Sequence, residues 1–352
     1  GILSSGATMA QPILGVLFGG KSNEHDVSLL SAAAILRELD RQRIPRLAIY
    51  LDREGRQFVC RDSSDSVGDG SFAGDSSLLS PADLVRGGVL THDRRGFFPL
   101  SGVIPAVHGG ETEDGRLQGA LDLLDIPYAG SGAEACAVAM NKQLSKTVLS
   151  AAGIPVAGGF SETVSPETVG RVEAALGYPV FVKPVRSGSS IGAGIARNRS
   201  ELAERIEAAA KTDRQVLFEP LIRGREIEVG VLEDESGVPV ASPPGELFSG
   251  ADFYDYETKY GVGARTRVPA DLPPVLSEKL RELALLAFRT LGCRHYARVD
   301  FFVSHGEPIL NEVNALPGLT DKSMFPRLAL AMGVPFPALV RRLASFARGG
   351  SA

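Results

Sequence analysis

A short apolar run near the start of the chain, Pro12-Ile-Leu-Gly-Val-Leu-Phe18, restricts the possible folds more than any other segment. The run is short enough for a parallel strand that is buried on both faces. Gly19-Gly20 end it, and a helical pattern follows from about Asp26. A buried strand that leads directly into a helix predicts a parallel α/β lobe.

The alternation of strands and helices continues along the chain, whose 352 residues suffice for two or three lobes with separate cores. A second apolar run at 102–107 precedes another helix, whereas residues 61–97 are rich in Ser, Asp and Gly and are predicted to form a variable surface region rather than core. A single helix is predicted over 133–152, and two apolar strands are predicted at 297–303 and 308–313.

These breaks divide the chain into four segments. We expect residues 1–11 to be a disordered tail or an added remnant, with Met9 as the native start. Residues 12–130 are predicted to form an N-terminal α/β domain. Residues 131–217 are predicted to form a central lobe, and residues 218–352 a C-terminal lobe.

The composition excludes several classes of function. The formal charge is -5, and no Lys/Arg run alternates with aromatic residues. The chain therefore offers no positive electrostatic field that would attract nucleic acid. No apolar run reaches the roughly 20 residues that a membrane span needs, and residues 1–8 lack the regions of a secretory signal. Cys60, Cys136 and Cys293 are widely spaced and form no CxxC, which indicates reduced thiols in a cytoplasmic protein.

The segment from Gly15 to Ser22 matches the phosphate-loop pattern GxxxxGK[ST]. In a true phosphate loop the intervening residues form a turn whose amides wrap the phosphates. Here Val16-Leu-Phe18 complete a buried strand instead, which argues against such a loop. A P-loop NTPase is kept as an alternative, and Lys21→Ala tests it, because an unchanged ATP affinity would remove it.

The strongest chemical pattern lies in the last quarter of the chain, where Arg298-Val-Asp300 is followed by Glu312-Val-Asn314. Side chains alternate along a strand, so each pair projects to one face. Two carboxylates and an amide oxygen are hard ligands that suit Mg²⁺ bound with nucleotide phosphates. Solvated polar faces are the other interpretation, but strands this apolar would gain little from carboxylates that bind nothing.

The turn at 315–324 follows these strands. It can present backbone amides and Ser323 beside such a metal, and Gly318 permits close approach of a substrate carboxylate or of a developing oxyanion. Arg298 would supply a fixed counter-charge. Taken alone, this segment is better explained as a plain turn without function.

The segment Lys183-Pro-Val-Arg-Ser-Gly-Ser-Ser190-Ile-Gly192 joins two apolar strands. A lysine near the end of a buried strand is costly without an anionic partner, and a Gly/Ser loop with free amides can clamp a phosphate. An ordinary hairpin with a snorkelling lysine is the alternative. Farther along, Glu219 and Glu226 lie in segments typical of a hinge, where carboxylates can receive hydrogen bonds from adenine and ribose.

Taken together and in this order, these segments resemble the ATP-grasp superfamily, and specifically the D-alanine–D-alanine ligases. The resemblance begins at about Pro12 and covers nearly the whole chain. It implies the fold class as well: an α/β ATP-grasp fold in which a parallel α/β domain on the substrate side precedes two lobes that clamp ATP. The matching blocks are Phe18 to Ser28, His108 to Gly115 with Leu117-Gln-Gly119, Lys183 to Gly192, Phe253 to Tyr260, and Ala297 to Asp300 with Asn311 to Gly318.

The resemblance also implies roles for individual residues. Positions that hold ATP are matched by Lys142, Lys183, Ser190, Glu219, Glu226 and Lys259. The Mg²⁺ ligands are matched by Asp300, Glu312 and Asn314. A triad that positions the first D-alanine is matched by Glu24, Ser189 and Tyr260, with His108 beside it. The groups that stabilise the tetrahedral intermediate are matched by Arg298 and the Gly318 amide, and the clamp on the second substrate's carboxylate by Ser323 and the Met324 amide.

The activity that the resemblance implies is ATP-dependent joining of two D-alanines through an acyl-phosphate, for peptidoglycan precursors. Mg²⁺ is expected as two ions, for which Mn²⁺ can substitute, and the enzyme is expected to be a cytoplasmic homodimer that binds neither nucleic acid nor membrane. The loop at 254–260 is expected to be mobile without ligand. Relatives that make D-alanyl-D-lactate lack the tyrosine at position 260, so Tyr260 favours an amino acid as the second substrate.

Several positions depart from the family pattern, and some lie near the second substrate's site. A related D-amino-acid ligase with another acceptor, in antibiotic biosynthesis or resistance, is therefore an alternative. A non-catalytic nucleotide-binding regulator is another, but it need not keep the arginine and the metal ligands together. ATP-grasp carboxylases and purine-pathway ligases lack the triad of the first substrate. The departures are Thr112, His295-Tyr296, Ala315 and Asp321-Lys322.

Overall fold

The computed structural model describes residues 10–61, 64–187, 191–248 and 265–349. Within these ranges three sheets follow one another along the chain. No single helix there is long and apolar enough to cross a membrane, and only the last two helices, which bend by 103° at their junction, pass that test as a pair. Cys60, Cys136 and Cys293 are free thiols, as predicted.

The first sheet is a closed ring of six strands at the N-terminus. At its centre β1 pairs in parallel with both β2 and β6, which confirms the predicted parallel arrangement there. The remaining pairings in the ring are antiparallel. The strands are β1 (Ile13–Gly19), β2 (Arg46–Leu51), β3 (Gln57–Cys60), β4 (Leu79–Val85), β5 (Gly88–Thr91) and β6 (Phe97–Val107).

The helices of this part include α1 (His25–Arg41), α2 (Ser64–Asp69), α3 (Gly110–Glu113) and α4 (Arg116–Leu123). The prediction that residues 61–97 form surface rather than core is wrong for part of this segment. Its β4 and β5 close the ring, and Val67, Phe72, Ala82 and Val89 are buried in the main core. Apolar residues here are sparse and alternate with polar ones, as in strands with only one buried face.

Two helices replace the single helix predicted over 133–152. They are α5 (Ala133–Met140) and α6 (Lys142–Ala151), separated at Asn141, whose ψ of 98° leaves the helical region. The Asn141 side chain accepts a hydrogen bond from the Leu144 amide and so caps α6. The Lys142 amide donates to the Val185 carbonyl at 3.1 Å, which ties the start of α6 to the central sheet.

The central sheet is antiparallel, with its strands in the order β7-β10-β8-β9. Its helices α7 (Thr168–Ala175) and α8 (Arg199–Ala210) contribute Val172, Leu202 and Ile206 to a separate core. The second of the two apolar strands that the Lys183–Gly192 segment joins is short, because its pairing begins only at Gly194. The strands are β7 (Phe160–Thr163), β8 (Val180–Pro184), β9 (Gly194–Ala196) and β10 (Gln215–Pro220).

The third sheet has the order β14-β13-β11-β15-β16, and β12 pairs with β11. Its strands are β11 (Arg225–Glu233), β12 (Pro239–Ala241), β13 (Gly245–Phe248), β14 (Arg265–Arg267), β15 (Tyr296–Ser304) and β16 (Glu307–Asn314). The last two confirm the two strands predicted near the C-terminus. The helices are α9 (Pro274–Thr290), α10 (Met324–Ala331) and α11 (Phe336–Ala347), and α11 returns to the N-terminal core.

Candidate active site

One cavity of about 310 Å³ opens where the three sheets face one another. Residues that were predicted to belong to the site line this cavity, and they come from the N-terminal, central and C-terminal parts of the chain. Asp300 is buried directly beneath Arg298 rather than at the cavity wall. The predictions for Ser189, Ser190, Lys259, Tyr260 and the loop at 254–260 lie outside the described residues. The predicted residues that line the cavity are Glu24, His108, Lys142, Lys183, Glu219, Arg298, Glu312, Asn314, Gly318, Ser323 and Met324.

Three carboxylates lie side by side on the third sheet. The strand register places Asp300 of β15 opposite Glu228 of β11 on one side and opposite Glu312 of β16 on the other. Arg298 donates two hydrogen bonds to Asp300, at 2.7 and 2.8 Å, and its Nε also lies 3.3 Å from Glu228. One guanidinium therefore bonds to two buried carboxylates, and a third, Glu312, stands on the adjacent strand.

The neighbouring acidic groups affect the pKa of Asp300. Burial raises the pKa of Asp300 to about 7; Arg298 opposes that rise, and the charges on Glu228 and Glu312 add to it. Asn314 pairs with Arg298 in the strand register, two residues along from the pair formed by Asp300 and Glu312 and on the same face of the sheet. A cation at this position would relieve the repulsion.

Glu219 on β10 is the centre of a second charged cluster. Its Oε1 lies 2.6 Å from the Lys183 ammonium, and its Oε2 accepts a hydrogen bond from Lys146 at 2.9 Å. All three side chains are buried. Burial of Glu219 would raise its pKa, but the two lysines outweigh that effect and hold the pKa below its ordinary value.

Lys142, the first residue of α6, lies one helical turn before Lys146 and lines the same cavity. Its ammonium donates to the Ser187 carbonyl at the start of the Gly/Ser segment. Burial lowers its pKa, and Lys183 lowers it further, whereas Glu312, Glu113 and Glu219 raise it. Three lysines from two elements thus converge on this end of the cavity.

Glu24 and Glu113 lie at the other end. A Cβ atom placed on Gly109 would meet Glu24 Oε2 at 2.3 Å, so a side chain at this position would displace the Glu24 carboxylate. The Gly109 amide donates to Glu113 Oε2 at 2.7 Å. Burial raises the pKa of Glu113 to about 8, and the neighbouring Glu24 charge contributes. Two carboxylates that face the same space suit an ammonium group.

His108 is buried and has a protein partner at each ring nitrogen. Nδ1 lies 2.9 Å from the Leu316 carbonyl, and Nε2 lies 2.9 Å from the Ser31 hydroxyl. Ser31 also accepts a hydrogen bond from the Leu319 amide at 3.2 Å. Helix α1, strand β6 and the turn that follows β16 are therefore joined at one point.

The turn at 315–323 brings Gly318 against Ser323. A Cβ atom added to Gly318 would meet the Ser323 hydroxyl oxygen at 3.1 Å. Ser323 is the residue before α10 and shares a hydrogen bond with Thr320 at 2.5 Å. Because Met324 is the first residue of α10, its amide is one of those that a helix leaves without an intrahelical partner.

The departures from the family pattern have structural contacts. Thr112 is buried, and its hydroxyl donates to the Gly109 carbonyl at 2.8 Å. His295 adopts a φ of 65° and stacks on Phe346, with ring centroids 4.4 Å apart. Tyr296 and Ala315 are buried, whereas Asp321 and Lys322 are exposed.

Sequence reasoning missed Ser31, Glu113, Lys146 and Glu228. A spacing signal existed for two of them: Lys146 lies four residues after Lys142, and Glu228 lies two residues after Glu226 on the same strand face. Glu226 itself is not among the residues that line the cavity. The phosphate-loop alternative gains no support, because Gly15 to Gly19 belong to β1 and the Lys21 ammonium lies 3.6 Å from Glu111.

Two family models match the chain: one described as the D-ala D-ala ligase N-terminus over residues 13–131, and one described as its C-terminus over residues 148–345. The D-alanine--D-alanine ligase of Chlorobium limicola is 39% identical over 97% of this chain and 98% of its own length. That of Deinococcus radiodurans is 41% identical over 94% of this chain and 97% of its own length.

Solved structures give the same result. The VanG D-Ala:D-Ser ligase from Enterococcus faecalis superposes with a TM-score of 0.86 at 30% identity, covering 95% of this chain and 99% of its own. The D-alanine-D-alanine ligase from Coxiella burnetii superposes with a TM-score of 0.82 at 31% identity, covering 96% of each chain. The fold is that of these ATP-grasp enzymes, and the chain belongs to the D-alanine–D-alanine ligase family.

Proposed function

We propose that the enzyme joins two D-alanines to D-alanyl-D-alanine at the expense of ATP, for peptidoglycan precursors. One observation carries the proposal: a single cavity holds the lysine cluster at one end, the Arg298 and carboxylate cluster at its side, and the Gly318 turn beside Glu24 and Glu113. The reaction needs a phosphate donor, an activated carboxylate and an attacking amine. Each of these three groups of residues suits one of those needs.

The lysine end is proposed to hold ATP. Lys142 and Lys183 would face the phosphates, and Glu219 would accept a hydrogen bond from the adenine amino group, since its carboxylate is fixed and ionised by two lysines. Roles for Ser190, Glu226 and Lys259 on this side rest on the family resemblance.

Magnesium is proposed to bind at Asp300, Glu312 and Asn314. The donor set fits, because the register places hard oxygen ligands on adjacent strands, beside an arginine that pairs with two buried carboxylates. In the described ranges no three Asp, Glu, His or Cys side chains are grouped to hold a metal ion by themselves, so nucleotide oxygens and water would complete the shell. When bound, the ion would offset phosphate charge. Whether one or two ions bind, and whether Mn²⁺ substitutes, remain predictions.

The chemistry proposed for the substrates follows from charge. Transfer of the terminal phosphoryl group of ATP to the first D-alanine's carboxylate gives an acyl-phosphate and ADP. The amine of the second D-alanine attacks that carbonyl, and phosphate leaves. Arg298 and the Gly318 amide would stabilise the oxyanion that forms during attack.

The two amino-acid substrates are proposed to be held on opposite sides of the carbonyl carbon that is attacked. Glu24 and Glu113 would receive the first ammonium group, and Ser323 with the Met324 amide would receive the second carboxylate at the start of α10. Ser189 and Tyr260 are assigned to the first site by resemblance alone. D-alanine as acceptor, a cytoplasmic location and a homodimer are further parts of this proposal.

The test is ADP release across single and paired D- and L-amino acids and D-lactate, with the dipeptide product identified by mass spectrometry. Strict dependence on D-alanine supports the proposal, and loss of turnover on chelation that returns with Mg²⁺ supports the metal. Phosphate release alone with D-alanine, but product with another amino acid such as D-serine, would show a different acceptor.

A further inference from the structure

Four hydrogen-bonding groups form a continuous chain between α1 and the turn that carries Gly318. The Leu319 amide lies 3.2 Å from Ser31 Oγ, Ser31 Oγ lies 2.9 Å from His108 Nε2, and His108 Nδ1 lies 2.9 Å from the Leu316 carbonyl. Both ends of this chain belong to one turn, at residues two positions before and one position after Gly318. These hydrogen bonds therefore hold the turn in place on both sides of Gly318.

The partners determine where each proton lies. The Leu316 carbonyl can only accept, so His108 Nδ1 carries the ring proton and donates it. Ser31 already accepts from the Leu319 amide, so its own hydroxyl proton is available for His108 Nε2. The ring is then neutral, with Nε2 as the acceptor, and this tautomer is assigned from the network of bonds.

Surrounding groups agree with a neutral ring. Burial holds the pKa of His108 below its ordinary value; Arg298 adds to that effect, and Glu24 and the Leu316 carbonyl oppose it. Both ring nitrogens face protein groups in this arrangement. A histidine with both nitrogens occupied can position its neighbours, whereas a direct bond to a substrate would require one of these bonds to break.

We propose that Ser31 is a positioning residue that, through the neutral Nδ1–H tautomer of His108, fixes the turn whose Gly318 amide and Ser323 face the second substrate. The inference rests on the function proposed above and adds a residue from the N-terminal part of the chain to the acceptor site. It also assigns His108 to positioning rather than to contact with the substrate.

The same helix supplies a matched control. Ser28 lies one helical turn before Ser31, is also completely buried, and also forms two hydrogen bonds. It accepts from the Gly19 amide at 2.7 Å and donates to the Ala106 carbonyl at 2.5 Å, so both bonds stay within the N-terminal sheet. Ser28→Ala and Ser31→Ala thus remove the same group and comparable bonds, but only Ser31 touches the acceptor turn.

The kinetic experiment measures the rate of ADP release as a function of D-alanine concentration at saturating ATP. The resulting curve gives a separate KM for each of the two D-alanine sites. Ser31→Ala is expected to raise KM for the second D-alanine by about tenfold, since about 1.4 kcal/mol of positioning energy corresponds to that factor, while KM for ATP changes less than about twofold. Ser28→Ala is expected to lower the melting temperature to a similar extent without changing either D-alanine KM. Equal kinetics for the two variants would overturn the proposal.

The spectroscopic arm does not depend on turnover. The chain has five histidines, so ¹⁵N spectra of histidine-labelled protein can be assigned to His108 by comparison with His108→Gln. In the wild type we expect His108 Nδ1 to be protonated and Nε2 to be unprotonated. In Ser31→Ala the Nε2 resonance should move further away from the chemical shift of a protonated nitrogen. In Ser28→Ala it should not move. A protonated Nε2 in the wild type would overturn the proposal. If the wild type instead releases no ADP with D-alanine, the proposed function fails, and the spectra still decide the hydrogen-bond chain.

Discussion

Lys146 and Glu219 form a buried ion pair, in which the lysine Nζ lies 2.9 Å from Oε2 of the carboxylate. Lys183 occupies the other carboxylate oxygen. Removing Lys146 leaves half of a buried carboxylate unsatisfied, so Lys146→Met is expected to reduce the free energy of unfolding by about 2 kcal/mol. KM for ATP should rise severalfold, because Glu219 is then held by Lys183 alone. Urea unfolding and ATP saturation curves measure the two effects.

Lys279→Met is the control for that variant. Its ion pair with Glu307 has the same 2.9 Å separation but lies in solvent. An exposed pair contributes at most about 1 kcal/mol. Equal losses of stability in the two variants would show that burial of Glu219 has no special role.

Arg298→Lys tests the arginine that bridges Asp300 and Glu228. Lysine keeps the charge but cannot form the paired bonds or hold the fixed orientation toward a developing oxyanion. We expect kcat to fall by about 10²-fold or more while KM for ATP stays within about threefold. Arg225→Lys is the matched control, since Arg225 forms a similar paired contact with Glu246 outside the cavity and its loss should leave kcat unchanged.

Glu113→Gln is expected to make stability less dependent on pH. The pKa of Glu113 is raised from 4.5 to about 8, so the folded protein keeps a proton that the unfolded chain has lost in this window. The contribution of Glu113 to stability therefore falls as pH rises from about 5 to about 8, with a slope of at most about 1.4 kcal/mol per pH unit. Glutamine is always neutral and removes that slope.

Melting temperatures at several pH values measure this difference. The advantage of Glu113→Gln over the wild type should grow as pH rises, whereas Glu111→Gln, at a more exposed neighbour, should follow the wild type. A constant offset between Glu113→Gln and the wild type would contradict the raised pKa.

Gly318→Ala probes the close packing of the acceptor turn. The new methyl group would lie 3.1 Å from the Ser323 hydroxyl oxygen, so either the serine or the turn must move. We expect KM for the second D-alanine to rise by about tenfold or more and the melting temperature to change little. Gly170→Ala, with no atom within 4 Å of the added carbon, should leave kinetics unchanged and stabilise α7 by up to about 1 kcal/mol.

The sequence predicts the buried elements of this fold better than the half-buried ones. Strand β1 follows from a continuous apolar run and β15 from a largely apolar one, because burial on both faces leaves an unmistakable pattern. Strands β4 and β5 were assigned to the surface because polar residues interrupt them. The division between α5 and α6 falls at Asn141, which caps α6, while the accompanying bond from the Lys142 amide to the Val185 carbonyl has no local pattern.

The same distinction applies to the candidate site. Arg298, Asp300, Glu312 and Asn314 could be grouped from the sequence because neighbouring strands are close along the chain. Ser31 contacts His108 across 77 residues, and Lys146 contacts Glu219 across 73, so these contacts depend on how the sheets face one another. Tertiary contacts of this length have no signature in a single sequence.

The pairing of the strands also affects how the protein behaves in concentrated solution. Within the described residues the N-terminal ring is closed, and the sheet edges at β7, β9 and β14 are three or four residues long. The longer β16 is covered in part by the Pro155 carbonyl, which accepts a hydrogen bond from Leu310. Short or covered edges offer little template for another chain, so the enzyme can present an open cavity while resisting edge-to-edge aggregation.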